Sequence, residues 1–93
     1  MNKTINEFEK ILDDEEEILD LVLTKQAALK KAVIDKDWNE LTSNITQINS
    51  LSENFVHVDE CREVIQDLLK TEELQPYFEK LRIMRSKLLK CKI

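Results

Sequence analysis

An all-α fold is predicted by three observations on this chain. Glycine is absent and proline occurs once, Leu, Glu, Lys, Ile and Asp dominate, and the apolar residues recur at steps of three and four. Without glycine the usual residues for hairpin turns and bulges are missing, and a 3-4 step keeps side chains on one face of a helix where a strand would need alternation. Ninety-three residues with 42% apolar content, three Phe, one Trp and one Tyr suffice for one domain with a slim core of Leu, Ile and Val. The expected architecture is a long antiparallel helical hairpin plus a third helix, an up-down-up, coiled-coil-like bundle formed by residues 1–93 as a single unit.

The first helix is expected over about 5–34. Its apolar steps run Ile5, Phe8, Leu12, Leu19, Val22, Leu29, Val33, and Glu15 and Gln26 fill the two skipped places of a heptad seam. Those two either set the register or sit exposed at a gap. Ile11, Ile18, Ala28 and Ala32 widen the stripe, so this helix should meet two neighbours. A turn at 35–37 follows: Asp37, with Glu40 three residues later, has the pattern of a reciprocal capping box that starts a new helix at Trp38. A connection this short folds the helices back antiparallel, and the single Trp is expected to plug the end of the core.

The second helix is expected over about 38–70, with Leu41, Ile45, Ile48, Leu51, Phe55 and Val58 at helical spacing and a small phase slip near Val58 before Cys61, Ile65 and Leu68. Its first half, "LTSNITQINSLS", contains no charge in a chain that is 35% charged. Buried charge is costly, so this helix is predicted to be covered on two sides, by its own chain or by a partner. The third helix is expected over about 73–92, with Thr71 a usable N-cap and Pro76 tolerated in a first turn. Its seam reads Leu74, Phe78, Leu81, Arg85, Leu88, with Tyr77, Met84 and Cys91 beside it. The apolar pattern is still running at Ile93 with no stop signal, so either the helix docks to its last residue or the native chain continues, and the second is expected.

Charge and composition narrow the function. A net charge of -5 argues against a general nucleic-acid binder. Residues 1–20 hold eight acids against Lys3 and Lys10, and residues 79–93 hold six bases against Glu79, a distribution expected to complement the helix dipoles. The chain opens on polar and acidic residues and has no apolar run of membrane-spanning length, so membrane insertion is not expected and a cytoplasmic location is. Cys61 and Cys91 read as two reduced, packed thiols. His57 and Cys61 have the i, i+4 spacing of a metal pair, but two ligands are too few for a structural zinc site. With no Gly-rich loop and no nucleophile motif, neither catalysis nor a cofactor is expected, leaving function through an apolar stripe offered to a partner's helix or a second copy.

A long acidic first helix, a Lys-Asp turn and a second helix with Leu and Ile at 3-4 spacing resemble the FlgN family of flagellar export chaperones. Leu29, Ala32, Val33 and Asp37, then Leu41, Ile45, Ile48 and Leu51, carry the resemblance. "YFEKLRIMRSKLLKCKI" is similar to the start of that family's later helix, while Trp38 stands where the family usually has an aliphatic or polar residue. The resemblance implies a cytoplasmic, non-enzymatic protein that binds hook-filament junction (hook-associated) proteins before type III secretion, with export-apparatus components as further partners. On that likeness the cargo surface would involve Leu81, Met84, Leu88, Leu89 and Cys91; read from the residues alone, the same five could equally close the three-helix core. The alternative of another class is a structural coiled-coil module that homodimerises or scaffolds a larger complex.

Overall fold

A helix needs an apolar stripe, good helix formers and usable ends. Residues 2–91, which the computed structural model describes, are helical except at two short connections. α1 (Asn2–Asp35) is followed by α2 (Trp38–Asp67), and then by α3 (Thr71–Leu74), a 3-10 turn (Gln75–Tyr77) and α4 (Phe78–Cys91), which together make one shorter third rod. The molecule is thus the all-α hairpin with a third helix that periodicity predicts. α1 starts three residues earlier than its apolar pattern, and α2 ends at Asp67 rather than near 70. The phase slip near Val58 is absorbed without a break. The expected helix end at 92 and the apolar Ile93 lie outside the described residues.

The hairpin turn closes without glycine. Lys36 takes the left-handed conformation (φ 57°), its N–H donates to the Val33 carbonyl at 3.2 Å, and the Asp37 N–H donates to Ala32 at 2.9 Å. That pair of bonds is the Schellman pattern, with lysine in the position glycine usually occupies. Asp37 also caps α2, its Oδ1 accepting from the Glu40 N–H at 3.2 Å. Only this half of the expected capping box forms, because the Asp37 N–H is already committed to α1. Trp38 does not plug the core: among the described residues no third element packs over it, and it is 60% exposed, as Ile34 and Val33 before the turn also are.

In the second connection Lys70, not Thr71, is the N-cap residue, and the Glu73 carboxylate accepts from the Lys70 N–H at 3.0 Å. Pro76 falls in the 3-10 turn rather than in the first turn of the rod. Lacking an N–H, proline cannot make the α-type bond there, and the tightened turn follows.

α4 runs parallel to α1. Tyr77 bonds Glu9, Lys80 pairs with Asp13, and Lys87 Nζ lies 2.9 Å from Asp20, a nearly constant sequence offset. The acid-rich start and base-rich end of the chain therefore face one another across α1 and α4. The first turn of α1 contains no acid, so a dipole role is not what the acids of that helix serve. Hydrogen bonding to Glu9, reinforced by burial, pushes the Tyr77 hydroxyl up to about 12, and Asp20 holds the Lys87 ammonium above its ordinary range. Surface pairs of this kind are screened by solvent, so they orient α4 more than they hold it.

Apolar burial holds the rod more strongly than these pairs do. Phe8, Leu12, Leu19 and Met84 form the core; α2 adds Phe55 and Ile65, the connection after it adds Leu69, and the rod adds Leu74, Tyr77 and Leu81. Phe8 meets Tyr77 edge to face at 5.3 Å between centroids. The inward stripe of the rod is Leu74, Tyr77, Leu81, Met84, Leu88 and Cys91. This corrects the expected seam: Phe78 and Arg85 are exposed, because the Tyr77 ring and hydroxyl both find partners on α1 and rotate the rod by one position.

The bundle, 52 Å long and 20 × 16 Å across, has two unlike halves. From Phe8 to about Gln26, α1 packs against both α2 and α4, the two neighbours its wide stripe predicts; beyond Gln26, among the described residues, it has α2 alone. The expectation that α2 is covered on two sides fails within this chain. Ile45 is 44% exposed, Thr42, Thr46, Asn49 and Ser52 are exposed, and only Asn44 of that stretch turns fully inward.

Candidate functional site

The heptad seam of α1 is interrupted twice by polar residues, and both interruptions do interhelical work. Gln26 Nε2 donates to the Cys91 carbonyl at 2.8 Å, which satisfies one of the carbonyls that a helix end leaves unpaired. The Cys91 thiol, which burial and then Asp20 push up and so keep protonated, points back to the Leu19 carbonyl at 3.8 Å.

Glu15 is the more consequential. Its place between Leu12 and Leu19 puts a carboxyl in the core, and it is only 2% exposed. Arg62 of α2 approaches Glu15 Oε1 to 3.2 Å, but its Nε hydrogen goes to Asp59 at 2.9 Å and its Nη1 to Gln66. Glu15 Oε1 therefore has a nearby charge and no hydrogen bond. Burial, and then the neighbouring Asp59 carboxylate, push Glu15 up to about 8; Arg62 pulls down less strongly, and the charge of Glu63 adds to the rise.

These groups line a cleft of about 350 Å³ where α1, α2 and α4 converge. Its polar lining is Glu15, Asp59, Arg62, Gln66 and, from α4, Arg85; its apolar walls are Leu19, Phe55, Leu81, Met84 and Leu88. That volume lies at the small end of the ~300–1,000 Å³ range of ligand sites, and apolar walls with a few convergent polar groups are their usual make-up.

Sequence periodicity marks Glu15 as a gap in the seam, but its partners on α2 cannot be named from it, because nothing in the spacing of Asp59 and Arg62 says which residue of α1 they will face. The five residues of the expected cargo surface are brought to one helix and then divided. Met84 is in the core, Leu81, Leu88 and Cys91 pack against it, and Leu89 alone is well exposed. Of the cap residues, Asp37 and Glu40 act as a cap, and Trp38 stands free. Cys61, expected to be packed, is exposed. Among the described residues no group of three His, Cys, Asp or Glu side chains could hold a metal ion, and no helix is long and apolar enough to cross a membrane.

The described residues form a three-helix bundle with a polar-and-apolar cleft between the helices and exposed apolar residues toward the hairpin turn. Comparison of the chain with protein-family models, with curated proteins and with solved structures finds no match.

Proposed function

We propose that this chain is a non-catalytic binding protein that shields an amphipathic helix of a partner, as the FlgN-type export chaperones it resembles do for hook-filament junction proteins in the cytoplasm. One observation carries the reading: in the half of the hairpin beyond Gln26, apolar side chains stand open to solvent on both helices, with Val33, Ile34, Trp38 and Ile45 all 44% exposed or more. The intervening polar residues are suited to being covered. Thr42 Oγ1 donates to the Trp38 carbonyl and Thr46 Oγ1 to the Thr42 carbonyl, at 2.9 and 3.0 Å, so their hydroxyls are already bonded within the helix. Burying such a surface costs little in lost hydration, and a partner helix laid there would continue the third layer that α4 begins. Met84, Leu81, Leu88 and Cys91 would join a cargo surface only if α4 lifted away; Leu89 is already free.

The chain's one Trp makes the test direct. Titration with the terminal helical segment of a junction protein should give a one-to-one complex by light scattering and a blue-shifted Trp38 emission. Ile45→Asp should weaken the complex at least tenfold without loss of helicity. Absence of a complex, or unchanged binding by Ile45→Asp, sinks the reading.

A second reading, a homodimeric structural module, is favoured by the uncharged run 41–52. In a two-fold contact each patch meets its own copy, so any charge near the axis would meet a like charge. A salt-insensitive dimer that binds no cargo is the outcome this reading requires.

A further inference from the structure

The cleft between the three helices lies in the opposite half from the proposed partner surface, and its chemistry is independent of it. Two carboxylates, Glu15 of α1 and Asp59 of α2, line the cleft beside two guanidiniums, Arg62 of α2 and Arg85 of α4, and the exposed Glu63 lies outside the lining, 3.9 Å from Arg62. Arg62 is occupied by Asp59 and Gln66, and Arg85 stands exposed at the mouth. With every group ionised the lining is balanced in charge, and the acceptor left without a hydrogen bond is Glu15 Oε1, 3.2 Å from Arg62 Nε, on a side chain that is 98% covered and lines the cleft. Beyond it Phe55, Leu81, Met84 and Leu88 offer an apolar wall.

We propose that this cleft binds a primary ammonium on a short apolar stem, the ammonium donating to Glu15 Oε1 and to Asp59 and the stem lying on Phe55, Leu81, Met84 and Leu88. An ammonium supplies the three donors that two carboxylates can share, and a stem of about four to six carbons suits a cleft of about 350 Å³. An anionic amphiphile is disfavoured, since its carboxylate would enter beside Glu15 and Asp59 while the one inner cation is already engaged. A free amine and the lysine side chain of a peptide share this chemistry.

Binding must displace the proton from Glu15, which gives the test its signature. With Glu15 at about 8, affinity for n-hexylamine should rise about fiftyfold between pH 6 and pH 8, a range in which an alkylamine of pKa about 10.4 stays charged. Amide shifts followed by NMR should move at Phe55, Leu81 and Met84. Glu15→Gln, a neutral isostere of the protonated acid and so expected to fold, should bind at least tenfold more weakly at pH 8, with a flat pH profile. Nα-acetyl-lysine-N-methylamide is the second arm: the tighter of the two ligands identifies a free amine or a peptide lysine as the source. Hexanoate binding as tightly as hexylamine, an affinity that does not change with pH, or an absence of shifts along the cleft overturns the proposal.

Discussion

The three-helix half and the two-helix half of this molecule share the same α1 and α2 but differ in what a residue's exposure means. Where α4 lies on α1, apolar positions at 3-4 spacing disappear from solvent, and even Glu15 is drawn under. Where α4 has ended, the continuation of the same seam leaves Val33 exposed and Trp38 uncovered. Heptad spacing states which side of a helix is apolar; the number of neighbours decides how much of that side is buried. Stability should therefore be concentrated in the three-helix half, and recognition in the two-helix half.

The sharpest contrast is between two truncations of similar chemistry. Leu12→Ala empties a fully buried site among Phe8, Leu19 and Met84 and should cost about 2–5 kcal/mol. Ile45→Ala, on a half-exposed residue of the open end, should cost about 1 kcal/mol or less. Urea unfolding of both variants measures the difference. Equal losses would mean that the open half is as tightly packed as the closed one, and the two-region description would fall.

Glu15 tests the three-helix half from the other direction. Because its folded pKa is raised from 4.5 to about 8, the folded state keeps a proton that the unfolded state releases. That contribution is fully present below the ordinary carboxylate range and is lost as pH rises through about 8. The wild-type protein should thus become less stable from pH 5 to pH 9. Glu15→Leu removes the buried acid while leaving Arg62 with Asp59 and Gln66, so its stability relative to wild type should show a gain that is larger at pH 9 than at pH 5. A gain that shrinks with pH would show that Glu15 is ionised and well paired in the fold.

Much of this is legible in the sequence, for identifiable reasons. Glycine-free composition and 3-4 periodicity name helices whatever their surroundings, and the Asp37–Glu40 spacing locates a tight turn because capping is local. The inward stripe of the third rod is not recoverable in the same way, since Leu81 and Leu88 belong to both candidate seams and only the contacts of Tyr77 with Phe8 and Glu9 choose between them. Long-range pairing is likewise hidden. Asp13 with Lys80 and Asp20 with Lys87 are 67 residues apart, so charge asymmetry between the chain ends is visible and its use is not. The cleft is the least legible, since it needs Glu15, Arg62 and Met84, one from each of three helices, to be brought to one place.

The turn gives the smallest effect and the finest test of how separate the two halves are. Lys36 adopts φ 57°, a conformation that costs an L-residue roughly 1–2 kcal/mol, whereas glycine adopts it freely but loses about 0.5–1 kcal/mol more backbone entropy on folding. Lys36→Gly should therefore stabilise by about 0.5–1 kcal/mol. The side chain is exposed and accounts for neither of the backbone bonds that close the turn, so no packing is lost. If the bundle unfolds as one unit, the urea midpoint and the hydrogen-exchange protection of residues 26–48 should rise together. If the open half frays on its own, protection should rise there while amides around Leu12 and Met84 stay unchanged, because the gain is then confined to an opening that leaves the three-helix half intact. A lower midpoint would mean that lysine at this position makes a contribution its exposed side chain does not reveal, and the Schellman geometry would no longer be a sufficient account of the turn.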